Sequence, residues 1–421
     1  MKQKLFPVDT ATGCPLKWNW STIYFHSGHT SSCHRVEKLK IPDNDFASFH
    51  NLPTKIDDRV RMLEGQWPKN SCDYCSRVEK KGGYSDRMNQ LSQLTDLETV
   101  PPELLENKNA TSVTPTYIEV YFRNTCNMSC VYCGPHFSSK WEEELNKYGP
   151  MNELRNKKNI SAQPDLQHNK NYEKHKKDFF DYLLNENRYK VLRWFSFLGG
   201  EPLVIPELEE CLDFWEQNPN DKLTFQIITN LKANEYRFDK FIKRIDTMTK
   251  NKKILQFKII ASLDCMGPES EYVRYGMDLK QWERNFKKLI ELDHVELGIN
   301  SAISLLTLPT YPQLLDKINE WNGYRPSNKK IIRSFNVESL THPAMAGPEF
   351  FSDTFKLCEE KIKITTVRDI SIKKHWDGLI EYIKNSKYDG EKINRTKKYL
   401  TELDRRRNTD WKETFPWLIS L

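Results

Sequence analysis

Apolar and polar positions along this chain follow two rhythms that take turns. Short runs at 191–198, 223–228, 257–263, 295–303 and 331–337 are dense in Val, Ile, Leu and Phe and predict buried strands. Residues 117–122, Tyr-Ile-Glu-Val-Tyr-Phe, alternate and predict a sixth. Between the runs, 206–217, 234–250, 278–292 and 311–321 carry apolar residues at three- and four-residue spacing, as helices do, and two of them open on the capping residues Asn234 and Asp278. Strands and helices in strict succession predict an α/β fold with a mostly parallel sheet and right-handed crossovers, a partial (β/α)6 TIM-like barrel. In such sheets chemistry sits at the C-terminal ends of the strands.

The flanks read differently. Before the first predicted strand, Trp18 to Phe25 followed by Ser27-Gly28-His29-Thr30 predicts a hairpin, and a polar helix is expected around 57–64. Residues 100–109 have linker chemistry. A polar stretch at 140–176 predicts an insertion, and a helix resumes at 177–187, where Phe179, Phe180, Tyr182, Leu183 and Leu184 make an apolar face. From 346 onward the chain reads as mainly helical and amphipathic, with Trp411, Phe415 and Trp417 expected to pack on the core. The predicted division is therefore 1–110, 111–345 and 346–421.

Composition narrows the class. Of 421 residues, 38% are hydrophobic and 29% charged, which suits a globular chain. No apolar run is long enough for a bilayer and Met1 to Pro7 lacks a signal-peptide core, so a soluble, cytoplasmic protein without a membrane partner is expected. The net charge is +6 with bases spread among acids, and basic runs such as Asn156-Lys157-Lys158-Asn159 are short. A solvated surface accounts for that, and a nucleic-acid partner is not expected.

Ten cysteines in such a chain point to metal before disulfides. Cys126, Cys130 and Cys133 form C-x3-C-x2-C directly after the strand at 117–122. Three thiolates in one short loop can hold three irons of a [4Fe–4S] cube and leave the fourth open. A structural zinc site would need a fourth ligand, for which His136 is the nearest candidate. Cys14, Cys33, Cys72 and Cys75 are enough for a second, closed site, either a fully ligated [4Fe–4S] cluster or zinc. Cys211, Cys265 and Cys358 stand alone.

At the end of the second core strand stands Gly199-Gly200-Glu201-Pro202, where two glycines admit a close ligand and a carboxylate could hold an amine. The strand, the cysteine spacing, the aromatic Tyr132 and this motif together resemble the radical S-adenosylmethionine (radical SAM) superfamily. The resemblance implies that Cys126, Cys130 and Cys133 hold a catalytic [4Fe–4S] cluster whose open iron chelates S-adenosylmethionine. It implies cofactor contacts from Gly199, Gly200, Glu201, Pro202, Thr229, Asn230, Ser262, Arg274 and Asn300, and a substrate-facing place for Asp264. Cys265, next in sequence, is a candidate hydrogen-atom donor to a substrate radical.

The N-terminal cysteine block resembles SPASM and twitch auxiliary-cluster units, although those usually follow the core. Relatives with auxiliary clusters imply a peptide or protein substrate and an external reductase such as flavodoxin or ferredoxin. Small-molecule oxidation and tRNA modification are the other enzymatic readings. The contrasting class is a non-catalytic zinc-binding interaction module.

Overall fold

The computed structural model describes residues 12–69, 71–80, 82, 85–93, 110–151, 168–362 and 367–421. The basic run at 156–159, the linker at 100–109 and the middle of the expected insertion lie outside them. The six core strands appear as β4 (Tyr117–Tyr121), β5 (Trp194–Leu198), β6 (Asn220–Thr229), β7 (Ile254–Ser262), β8 (Val295–Ile303) and β9 (Ile332–Val337). They are parallel and lie side by side in chain order. A doubly wound sheet reverses its order at a switch point. This one keeps stepping the same way, so right-handed crossovers lay their helices on one face.

The hairpin joins the same sheet. Strand β1 (Trp20–Tyr24) pairs antiparallel with β2 (His29–Ser31), which pairs with β3 (Leu39–Lys40), and its other edge pairs in parallel with β4. The nine-stranded order is therefore β3-β2-β1-β4-β5-β6-β7-β8-β9. Local pattern revealed the hairpin but not this long-range pairing.

Strand register gives the sheet two unlike faces. On one, Ile23, Val120, Phe197, Ile227, Ile259 and Leu297 are direct cross-strand neighbours and all are fully buried. They share one apolar core with the inner faces of helices Glu207–Gln217 (Leu208, Leu212, Trp215), Glu235–Lys250 (Phe238, Phe241, Ile245), Leu279–Ile290 (Trp282, Phe286, Leu289) and Tyr311–Gly323 (Leu314, Leu315, Ile318). The predicted caps form: Asn234 accepts from the Arg237 N–H and Asp278 from the Gln281 N–H. One residue away along each strand, the opposite face carries the row Thr22, Glu119, Ser196, Gln226, Lys258 and Glu296. That face is lined by polar side chains and not by an apolar core.

The insertion holds a helix the polar pattern did not suggest, Ser139–Tyr148, capped by Ser138 and anchored by buried Trp141 and Leu145. The next helix, Tyr172–Leu184, begins earlier than expected because the Tyr172 hydroxyl reaches Glu207. In the tail, Gly390–Arg407 and Trp411–Thr414 pack as expected, with Phe415 buried against Tyr272 at 4.9 Å between ring centroids. Among the described residues no helix is long and apolar enough to cross a membrane.

The two faces differ in what a truncation removes. Phe197→Ala should cost about 3–5 kcal/mol of stability in urea unfolding, since it opens the buried face. Ser196→Ala should cost about 1 kcal/mol, the worth of the hydrogen bond it accepts from Gln226.

Candidate functional site

The cysteine loop leaves the C-terminal end of β4 and is held by backbone bonds to a neighbouring loop. Ser129 N–H donates to the Tyr275 carbonyl at 3.0 Å and Val131 N–H to the Val273 carbonyl at 2.7 Å. Side chains fix the rest: Trp141 Nε1 donates to the Cys130 carbonyl (2.7 Å), Ser138 Oγ to Met128 (2.6 Å) and the Tyr399 hydroxyl to Val131 (2.6 Å). Met128 and Val131 are buried as anchors, while Cys126, Cys130 and Cys133 stay partly exposed. Burial raises all three thiols, Cys126 to about 12, and the repulsion of Cys130 adds to it at Cys126 and Cys133.

The Gly-Gly-Glu-Pro turn lies directly against this loop. Gly199 (φ +81°) and Gly200 (φ +56°) take left-handed conformations, and a Cβ on Gly200 would fall 2.2 Å from the Thr125 carbonyl oxygen. Glu201 N–H donates to that same carbonyl at 2.8 Å. The Glu201 carboxyl is buried and already engaged: Oε1 accepts from the Thr229 hydroxyl (2.5 Å) and Leu203 N–H (3.0 Å), and Oε2 from Asn230 N–H (2.6 Å). Burial pushes it up to about 7. Glu201 thus braces the ends of β5 and β6, with Pro202 opening a short turn, where the sequence suggested an open acceptor. Asn230 continues the brace, donating from Nδ2 to Asn127 Oδ1 at 2.8 Å, with Cys126 Sγ 4.0 Å away.

Beyond β7, Asp264 is fully buried among three donors: the Tyr132 hydroxyl (2.5 Å), Arg274 Nη2 (2.7 Å) and Ala302 N–H (2.8 Å). Tyr132 stands between Cys130 and Cys133, so this aspartate ties the cysteine loop to β7 and β8. Arg274 is committed to Asp264, while its Nε is buried without a partner. Cys265 is fully buried, with its thiol raised by desolvation. Ser262 is the cross-strand neighbour of Asn300, which donates to Asn336 Oδ1 (3.3 Å) and accepts from Ser334 Oγ (3.0 Å). His342 caps a turn through Nδ1.

Sequence reasoning missed Glu119. It stands on β4 in the polar row, 2% exposed, and accepts from Thr22 Oγ1 at 3.1 Å, with His34 Nε2 3.5 Å away. Burial pushes its carboxyl up to about 8. Its field also raises Tyr24, Tyr117 and Tyr121, each pushed up first by its own burial. The signal was a carboxylate at an alternate position of a strand whose other face is wholly apolar.

The second cysteine set also comes together. Cys14, Cys33, Cys72 and Cys75 line one small cavity with Lys17, Arg35, Trp67, Tyr74, Asp86 and Arg87. Cys14, Cys33 and Cys72 are raised by burial, and Lys17 pulls each back down. Arg35 N–H lies 3.2 Å from Cys33 Sγ, and Ser71 Oγ lies 3.8 Å from Cys72 Sγ. Lys17 and these donors offset part of the burial effect, which still leaves the thiols raised. Among the described residues no group of three or more His, Cys, Asp or Glu is placed to hold a metal ion.

Two outcomes check the site. Gly200→Ala should push the Thr125 carbonyl away, cost about 1–3 kcal/mol and make Cys126, Cys130 and Cys133 react faster with a thiol reagent. Glu119 is raised in the folded state from its ordinary 4.5 to about 8, so the native protein holds the extra proton across that window. Glu119 should therefore make stability fall as pH climbs from 4.5 through about 8, and urea midpoints of Glu119→Gln should fall less steeply over that window, Glu201 and Glu338, each raised to about 7, keeping their own share.

No protein-family model and no curated protein sequence matches the chain.

Proposed function

We propose that the protein is a radical SAM enzyme acting on a peptide or protein, with its catalytic centre at the loop of Cys126, Cys130 and Cys133. The observation that carries this reading is the convergence on one loop of three thiols, a Gly-Gly-Glu-Pro turn in backbone contact with it, and the Asp264–Tyr132 tie, all at the C-terminal ends of a parallel sheet. On this reading the sheet curls as a partial barrel around the polar cleft.

Three thiols on one short loop are the number of donors that a cluster with one open iron requires. When bound, the cluster and S-adenosylmethionine supply a 5′-deoxyadenosyl radical that takes a hydrogen atom from the substrate.

The chain's own residues do the rest. Met128 and Val131 anchor the loop so that its cysteines face outward. Glu201 locks the turn whose exposed backbone would meet the methionyl end of the cofactor, with Thr229, Asn230, Ser262 and Asn300 as polar contacts near it. Arg274 keeps one guanidinium N–H beyond its pair with Asp264 and would turn it to a carboxylate. Cys265 is too deeply buried to meet a substrate without movement. The cationic cavity of Cys14, Cys33, Cys72 and Cys75 suits an anionic auxiliary cluster, with a flavodoxin or ferredoxin in a reducing cytoplasm as electron source.

The test is anaerobic purification with iron analysis. A brown protein with about eight irons is expected, falling to about four in the Cys126→Ala/Cys130→Ala/Cys133→Ala variant. Wild type with S-adenosylmethionine and dithionite should release 5′-deoxyadenosine, and the triple variant none. A colourless zinc protein that releases no 5′-deoxyadenosine would overturn the proposal.

A further inference from the structure

The polar face of the sheet holds a carboxylate that the cofactor reading does not use. Glu119 sits two residues below the end of β4, roughly 7 Å down the strand from the side that bears the cysteine loop. Among the described residues hydrogen-bonding groups reach only its Oε1, from Thr22 and His34. No lysine or arginine among the described residues pairs with it. The nearest lysine of the same row, Lys258, is taken by Glu296 at 2.7 Å. A desolvated carboxyl without a counter-ion is costly in a finished core, and this one holds its proton up to about 8 instead.

Aromatic rings frame that carboxyl above and below. Toward the N-terminal strand ends, Trp20, Tyr117 and Trp194 stack across three strands at 3.8 Å and 5.6 Å between centroids. Toward the cysteine loop, Tyr24 and Tyr121 stack at 4.8 Å. Trp20, Tyr117, Tyr121 and Trp194 are partly exposed although they stand on central strands. The chain's own ammonium groups already use these rings: Lys38 Nζ lies 4.0 Å from the Tyr24 centroid and Lys258 Nζ 5.2 Å from that of Trp194.

We infer that Glu119, with the aromatic rows on either side of it, is a recognition site for a cationic group of the substrate: an ammonium carried on an aliphatic stem, as on a lysine side chain. The inference rests on the reading above that substrate lies in the cleft beneath the cysteine loop. The chemistry is complementary. An ammonium would give the carboxyl the counter-charge it lacks, displace its proton and lie against ring faces, while the stem would lie along Tyr117 and Tyr121. An anionic group would bring its own charge into a dry site that offers it no counter-ion and be refused.

The experiment titrates the anaerobically purified protein, without S-adenosylmethionine or reductant, with n-butylammonium chloride and follows tryptophan fluorescence, to which Trp20 and Trp194 contribute among 11 tryptophans. Sodium butyrate and n-butanol are the controls, and n-butylguanidinium distinguishes a planar cation from an ammonium. Saturable binding of n-butylammonium is expected, with none of butyrate. Glu119→Gln should weaken it by about tenfold or more. Glu119→Asp keeps the charge and should keep the preference for cation over anion, so a poorly folding Gln variant leaves a second reading of the same question.

Butyrate binding as well as the ammonium, guanidinium binding better than ammonium, or Glu119→Gln leaving the titration unchanged would overturn the inference. Since no cofactor enters the titration, the two readings fail separately. A protein that binds the ammonium yet releases no 5′-deoxyadenosine sinks only the radical reading, and one that releases it but ignores the ammonium sinks only this one.

Discussion

Everything in this protein depends on the register of its parallel strands. Because side chains alternate along a strand, the pairing that lines up Ile23, Val120, Phe197, Ile227, Ile259 and Leu297 also lines up Thr22, Glu119, Ser196, Gln226, Lys258 and Glu296 on the reverse. A slip of one residue in β4 would drive Glu119 into the core and expose Val120. The register is therefore held by burial on one face, and the chemistry of the other face is a consequence of it.

The cysteine loop is irregular backbone, and irregular backbone needs partners for its N–H and carbonyl groups. It finds them in every direction: the 273–275 loop, Ser138, Trp141 and the tail residue Tyr399. Two buried acids, Glu201 and Asp264, add the long-range ties. Each is surrounded by three donors, which offsets the cost of removing a carboxyl from water. Acids so enclosed serve position more than direct contact with a ligand. That changes the roles suggested by their place in the motif.

The N-terminal cysteine set is bound to the same frame. Strand β1 continues the sheet at the edge of β4, so the cavity of Cys14, Cys33, Cys72 and Cys75 hangs from the sheet that carries the other cysteine loop. Aromatic stacking of Trp20 on Tyr117 and of Tyr24 on Tyr121 reinforces that seam. The bases inside the cavity, Lys17, Arg35 and Arg87, are each held by an acid, Asp58, Asp86 and Glu79, so their positive ends stay where the sulfurs need them.

Local rules made much of this legible from the residues alone. The periodic runs located β4 to β9 and the helices between them, Asn234 and Asp278 marked helix starts, and the spacing of Cys126, Cys130 and Cys133 singled out the loop, because each of those signals lives within a few neighbouring residues. What pairs over distance was not legible. The parallel docking of β1 on β4, the engagement of Glu201 by Thr229 and Asn230, the commitment of Arg274 to Asp264 and the lone carboxyl of Glu119 all follow from which strands lie side by side. Sequence fixes the face a residue occupies on its own strand; only the assembled sheet decides which groups across the gap will satisfy it, since that depends on contacts between segments far apart in the chain.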